Sequence, residues 1–222
     1  MASENRNRGD PVLSLKVPLA RLALAAALAL PIAAAPARAD DADTTRQMIL
    51  NDPAAPVAGN PKGDVTIVAF FDYNCPFCKK SAPALDKLVK TDGAIRLVYK
   101  DWPILTDTSV YGAKLALAAK RQGKYGAAHD ALMSLRGGGV TEAKMREAVR
   151  AAGVDMARLD ADLKAHGAEI SALIARNAAQ AEGLQLQGTP VYLVGPLLVA
   201  AALDYDQFKQ AVAQARLRSG KS

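Results

Sequence analysis

Cys75-Pro76-Phe77-Cys78 contains the only two cysteines in the chain. Two thiols at this spacing can form and release a disulfide. They lie where the apolar run Val65-Thr66-Ile67-Val68-Ala69-Phe70-Phe71 gives way to a helix-like segment opening at Pro76. A strand-to-helix junction of this kind places one sulfur at a helix N-terminus. The unpaired N–H groups and the helix dipole there stabilise an anion, which for a thiol is the reactive thiolate. The expected chemistry is thiol–disulfide exchange.

A structural role for the pair is the weaker reading. One bridge closing a four-residue loop adds only about 2 kcal/mol in the loop-entropy model, and a disulfide framework would show several spaced cysteines. A zinc ribbon needs four ligands, usually from a second C-x-x-C. A c-type haem site needs His after the second cysteine, where Lys79 stands. No metal and no cofactor is expected. Copper carriage by the two thiolates, and a redox-silent chaperone that only binds unfolded peptide, are the rival functions.

The elements that must position this pair follow from patterning. The 222 residues, half of them apolar and 5% aromatic, suit one domain with a substantial core. Residues 1–39 read as a signal peptide. Arg6, Arg8, Lys16 and Arg21 precede the apolar stretch Leu22 to Ala35, and Ala37-Arg38-Ala39 fits a cleavage site after Ala39. This predicts export to the periplasm, an oxidising compartment. The formal charge of +6 falls to about +3 once residues 1–39 are removed. No basic block with interleaved aromatics is present, so nucleic acid is not an expected partner.

Residues 40–63 read as an N-terminal extension with a short helix at 44–50. Residues 65–71 read as a central strand buried on both faces. A helix is predicted from Pro76 to about Lys90, closed by Gly93, then a strand at 95–99. Together these make a parallel βαβ unit. Residues 103–187 read as entirely helical. Helices are predicted over 109–122, over 124–135 and from a Thr141 cap to Gly153. A short one follows from an Asp155 cap to Gly167, and another covers 168–182. Val191–Val194 and Leu197–Ala200 read as a hairpin turning at Gly195. The last helix starts at Asp204, with Asp204 and Gln207 as a capping box.

The order βαβ, helical block, ββα is an α/β thioredoxin fold with a helical insertion between its halves, spanning residues 64–217 with a short tail at 218–222. At this point the chain resembles the DsbA-like thiol–disulfide oxidoreductases. The matching residues are 70–78 (Phe-Phe-Asp-Tyr-Asn-Cys-Pro-Phe-Cys), 99–103 (Tyr-Lys-Asp-Trp-Pro) and Gly188-Thr189-Pro190. The resemblance covers roughly residues 48–216. It implies that Pro190 is a cis-proline facing the cysteine pair, in a loop that binds extended peptide. It also implies unfolded or folding exported proteins as substrates, a membrane quinone-linked redox partner of the DsbB type, and a monomer. Two departures stand out. Ala69 occupies a position where relatives often carry a buried Asp or Glu. Strongly oxidising relatives carry Pro-His between the cysteines, whereas Phe77 cannot donate a hydrogen bond to a thiolate.

On this reading Cys75 is the nucleophile, Cys78 the buried resolving thiol, and Pro76 the N1 residue whose missing N–H costs nothing. The Cys75 pKa is expected between about 3.5 and 7, the range from DsbA to thioredoxin. Lys79 and Lys80 add positive charge nearby or form a solvated helix face. Lys100 is a candidate semi-buried charge behind the site, or else an exposed strand end. Phe77, Tyr73 and Tyr192 could line an apolar peptide groove. Trp102, His129 and His166 read as core, packing or surface residues. A disulfide donor is favoured, with isomerase and reductase as alternatives; isomerases of this superfamily usually carry an N-terminal dimerisation domain, and the residues before Asp64 are too few for one.

Overall fold

The computed structural model describes residues 46–220. The expected signal peptide and its cleavage site lie outside them. A five-stranded sheet organises the chain, in the order β1-β3-β2-β4-β5. Its strands are β1 (Val57–Gly59), β2 (Val65–Phe71), β3 (Ile95–Asp101), β4 (Val191–Val194) and β5 (Leu197–Val199). β2 is central because nearly every residue in it is apolar, so both of its faces can be covered. It runs parallel to β3 and antiparallel to β4, with Ala69 opposite Tyr99 on one side and Tyr192 on the other.

The helices are α1 (residues 46–50), α2 (Pro76–Asp92), α3 (Asp107–Ala119), α4 (Tyr125–Ser134), α5 (Glu142–Ala151), α6 (Met156–Gly183) and α7 (Tyr205–Arg218). Alternate residues of β2 feed two separate cores. Ile67, Ala69 and Phe71 face the larger one, with Cys78, Leu85 and Leu88 of α2, Leu132 of α4 and Phe208 of α7. Val68 and Phe70 face a smaller one, with Ile49, Val98, Trp102 and Ala181. This alternation places α2 and its cysteines against one face only.

Local signals act as read. Gly93 caps α2 in the left-handed conformation. Thr141 caps α5. Asp204 and Gln207 make both bonds of the capping box on α7. The βαβ unit, the helical insertion and the terminal hairpin all form, in a thioredoxin fold.

Two expectations need correcting. The segment 40–63 is not merely an extension: its residues 57–59 add edge strand β1, antiparallel to β3. Gly167 does not end a helix. α6 runs unbroken for 28 residues. An interior glycine costs about 1 kcal/mol relative to alanine. Burying Leu159, Ile170 and Leu173 on one continuous face outweighs it.

Among the described residues, no helix is long and apolar enough to cross a membrane.

Candidate active site

The turn before the cysteines is fixed by two short polar side chains. Asp72 Oδ1 accepts from the Asn74 N–H at 2.7 Å, and Oδ2 accepts from the N–H groups of Ile104 and Leu105 at 2.8 and 3.0 Å. The Asn74 amide donates to the Thr106 and Thr108 hydroxyls at 2.9 and 2.8 Å. Its oxygen accepts from the Val140 N–H at 2.8 Å. The turn is thereby tied both to the start of α3 and to the loop before α5. The Cys75 N–H closes it onto the Asp72 carbonyl at 3.1 Å.

Held in this way, Cys75 becomes the N-cap of α2, with extended backbone (φ −76°, ψ 116°), and Pro76 takes the first helical position. The Cys75 sulfur accepts from the Cys78 N–H at 3.4 Å. Serine or aspartate usually fills this role. Here the capping acceptor is the reactive atom itself, and the two cysteines are not bonded to each other.

The two thiols are electrostatically unlike. Cys75 is held down at about 6, first by a hydrogen bond from Cys78, then by Thr189 and the N–H groups of Cys78 and Phe77, all against the cost of burial. Cys78 is pushed far up, chiefly by burial, and further by sharing its proton with Cys75. Lys79 lies near enough to favour the thiolate, while its ammonium donates to the Gly137 carbonyl at 2.6 Å.

The facing wall is the loop into β4. The Thr189–Pro190 bond is cis, as the resemblance implied. The Cys75 thiol donates to the Thr189 carbonyl at 3.2 Å. The Thr189 hydroxyl is buried without a hydrogen-bond partner, and it lies near enough to both sulfurs to favour their thiolate forms. A groove of about 950 Å³ continues from here, lined by Phe77, Gly188, Pro190, Leu198 and Ala201 among others, all uncharged. Phe77 is 63% exposed at its edge.

Cys75, Cys78, Pro76, Phe77, Thr189 and Pro190 are therefore brought together. Lys100 is not among them. It is fully buried, but alternation along β3 turns it to the opposite sheet face, where its ammonium lies 3.6 Å from Asp52. Asp52 in turn takes two hydrogen bonds from Arg176. Tyr73 and Tyr192 do not line the groove beside Phe77 and Pro190 either. Tyr192 is buried, with its hydroxyl 2.7 Å from Ser81 Oγ. Tyr73 is buried in an aromatic cluster with Phe71, Tyr99, Tyr125 and His129. Its hydroxyl lies 3.1 Å from His129 Nδ1, and burial holds that imidazole neutral, with its pKa down at about 3.

Sequence reading missed Asp72 and Asn74 as organisers of the turn, although Asp and Asn in the three residues before a helix cap are an Asx-turn signal. It also missed Asp101. This carboxyl is fully buried, accepts from the Tyr125 hydroxyl at 2.9 Å and has its other oxygen without a partner. Burial raises its pKa to about 7. No motif announces it, because its partners come from distant segments. No group of three or more His, Cys, Asp or Glu among the described residues is placed to hold a metal ion.

Comparison with known proteins agrees with this geometry. A family model described as thioredoxin matches residues 51–214. A thioredoxin-like oxidoreductase from Silicibacter pomeroyi DSS-3 is 44% identical, superposes with a TM-score of 0.72, and covers 78% of this chain and 98% of its own. The thiol-disulfide exchange protein alpha-DsbA2 from Wolbachia pipientis is 27% identical, with a TM-score of 0.73, over 79% of this chain and 94% of its own. Among curated proteins, the Na(+)/H(+) antiporter NhaA 3 of Salinispora tropica is 31% identical over 146 residues. That match covers 62% of this chain but only 21% of the antiporter, so the likeness is confined to about a fifth of that protein. The chain belongs to the thioredoxin family and is a DsbA-like thiol–disulfide oxidoreductase.

Proposed function

We propose that the protein is an exported disulfide donor, acting in the periplasm on folding proteins through Cys75 and Cys78. In the donor cycle a substrate thiolate attacks Cys75 Sγ of the oxidised pair. The Cys75–Cys78 bond breaks, and Cys78 leaves as a thiolate that takes a proton at once, because its pKa is raised. A second substrate thiolate then attacks the substrate sulfur of the mixed disulfide. Cys75 departs as a thiolate, the substrate leaves oxidised, and the protein is left as a dithiol. A membrane quinone-linked partner of the DsbB type would restore the disulfide, and the protein would work as a monomer.

The observation that carries this reading is the sulfur cap on α2, with Cys75 held at about 6. A thiolate that is stable in the fold is a good leaving group, and it favours the reduced protein. Loop closure favours the oxidised protein by about 2 kcal/mol, equivalent to about 1.5 pKa units at 1.36 kcal/mol each. Cys75 lies further than that below a free cysteine near 8.5. The sign follows from linkage. A lowered folded pKa stabilises the reduced fold fully above about 8.5, and this contribution is lost as pH falls through about 6. The reduced form is therefore expected to be the more stable one near pH 7.5–9. Paired urea melts of reduced and oxidised protein test this. If the oxidised form is more stable by 2 kcal/mol or more, the donor reading fails and reductase replaces it.

A further inference from the structure

Two grooves flank the N-terminus of α2, and they differ in charge. The one beside Phe77 and Pro190 is lined entirely by uncharged residues. The other has an empty volume of about 670 Å³ and lies between the first turns of α2 and the segment that follows α4. Its apolar lining comes from Pro76, Pro83, Met133 and Leu135, and its charged lining is Lys79, Lys80 and Arg136, with no carboxylate. Lys80 and Arg136 are exposed, and neither makes an ion pair among the described residues. Two exposed cations without an ion pair, beside a third in Lys79, share one groove in a chain whose residues 40–222 carry a formal charge of only about +3.

The groove is preformed. Lys79 fixes one wall to α2 through the Gly137 carbonyl at 2.6 Å, and Asn74 holds Val140 beside the cysteine turn at 2.8 Å. A β-carbon on Gly138 would come within 3.2 Å of the Asn74 carbonyl, so the loop sits close against the turn.

We infer that this second groove receives the stretch of substrate chain next to its reacting cysteine, and that it selects stretches carrying carboxylates around an apolar side chain. The apolar floor takes the side chain, and the three cations attract the acid groups and speed encounter. This deepens the thiol–disulfide exchange reading and rests on it. The neutral groove offers no discrimination by charge, so preference for acidic flanks would come chiefly from Lys80 and Arg136.

The test uses two fluorescent reporter peptides, each with a pair of cysteines and identical except for Asp/Glu or Lys beside the first cysteine. Their exchange with the oxidised protein is followed by stopped flow, with dithiothreitol as a small-molecule control. The acidic peptide is expected to react at least about tenfold faster at low salt, with the gap closing to about threefold or less near 0.5 M salt. K80Q/R136Q should remove the preference and K80E/R136E should invert it, each read as the ratio of the two peptide rates in the same variant after division by its own dithiothreitol rate. Equal peptide rates in the unaltered protein would overturn the groove while leaving the oxidoreductase reading intact. A preference that survives K80E/R136E would overturn it too. Failure to react with both peptides and with dithiothreitol would overturn the exchange reading itself and the groove with it.

Discussion

Cys75 and Asp101 are both acids buried in this fold, and their pKa values move in opposite directions. Cys75 has its pKa lowered to about 6 and Asp101 has its raised to about 7. Both suffer the cost of burial. The difference lies in what surrounds the charge. Cys75 stands at the end of a helix, where the Cys78 side chain does most to favour the charge, followed by the Thr189 hydroxyl and the Cys78 and Phe77 N–H groups. Asp101 sits among tyrosines, with one donated bond from Tyr125 and one oxygen unmatched. A neighbouring thiol backed by helix-end donors outweighs desolvation, whereas scattered phenols do not.

The comparison breaks most completely at Cys75. Cys75→Ser replaces a weakly acidic thiol by a hydroxyl that still caps the helix. Exchange with a dithiol substrate is expected to fall at least about ten-thousandfold, more than 5 kcal/mol, with little change in the melting midpoint. Retained turnover would mean that Cys78 alone can carry the reaction.

Asp101→Asn probes the other side. A raised folded pKa contributes stability below about 3.9 that is lost as pH rises through about 7. Across that window the wild-type protein should lose about 4 kcal/mol relative to the Asn variant. Urea melts from pH 4 to 8 give this difference. Because Asp101 is common to the oxidised and reduced proteins, subtracting their melts isolates the cysteine pair. In it the contribution of Cys75 to the reduced form grows from about pH 6 to about 8.5, and the raised pKa of Cys78 begins to oppose it near 8.5.

A smaller effect is expected at Thr189. Thr189→Val keeps the shape and removes the hydroxyl donor. The Cys75 pKa should rise by less than one unit, matching about 1 kcal/mol for a hydrogen bond, as read from thiolate absorbance near 240 nm. An unchanged titration would leave the Cys78 side chain and the backbone donors as the whole cause. The smallest effect belongs to Lys100. Lys100→Met should leave the Cys75 titration where it was, since the ammonium faces Asp52 across the sheet.

What the sequence made legible was local. β2 reads as a continuous apolar run, α2 as a helix that begins at Pro76 and ends at Gly93, and Asp204 with Gln207 as a cap; each signal lies within a few residues of what it specifies. The cysteine pair was visible for the same reason, whereas the Thr189–Pro190 loop came from the family resemblance alone. β1 was not, because three residues flanked by Pro56 and Asn60 carry no period, and pairing with β3 alone defines the strand. The unbroken course of α6 was hidden because packing decides it against the local preference of Gly167. The Tyr73–His129–Asp101 region was hidden because its members are separated by 28 to 56 positions in the chain. The sequence leaves Lys100 open between a semi-buried charge and an exposed strand end, because its burial and sheet face depend on the register of β3 with β2, which composition does not reveal.

The sulfur cap on α2 has a kinetic consequence for the helix itself. When Cys75 joins Cys78 in a disulfide, its sulfur loses the negative charge that the Phe77 and Cys78 amides had faced. The first turn then breathes more freely, and those two amides exchange with deuterated solvent sooner than in the dithiol protein at the same pH. Each turnover would thus leave a transient mark in backbone isotope exchange, readable by mass spectrometry without any label on the cysteines.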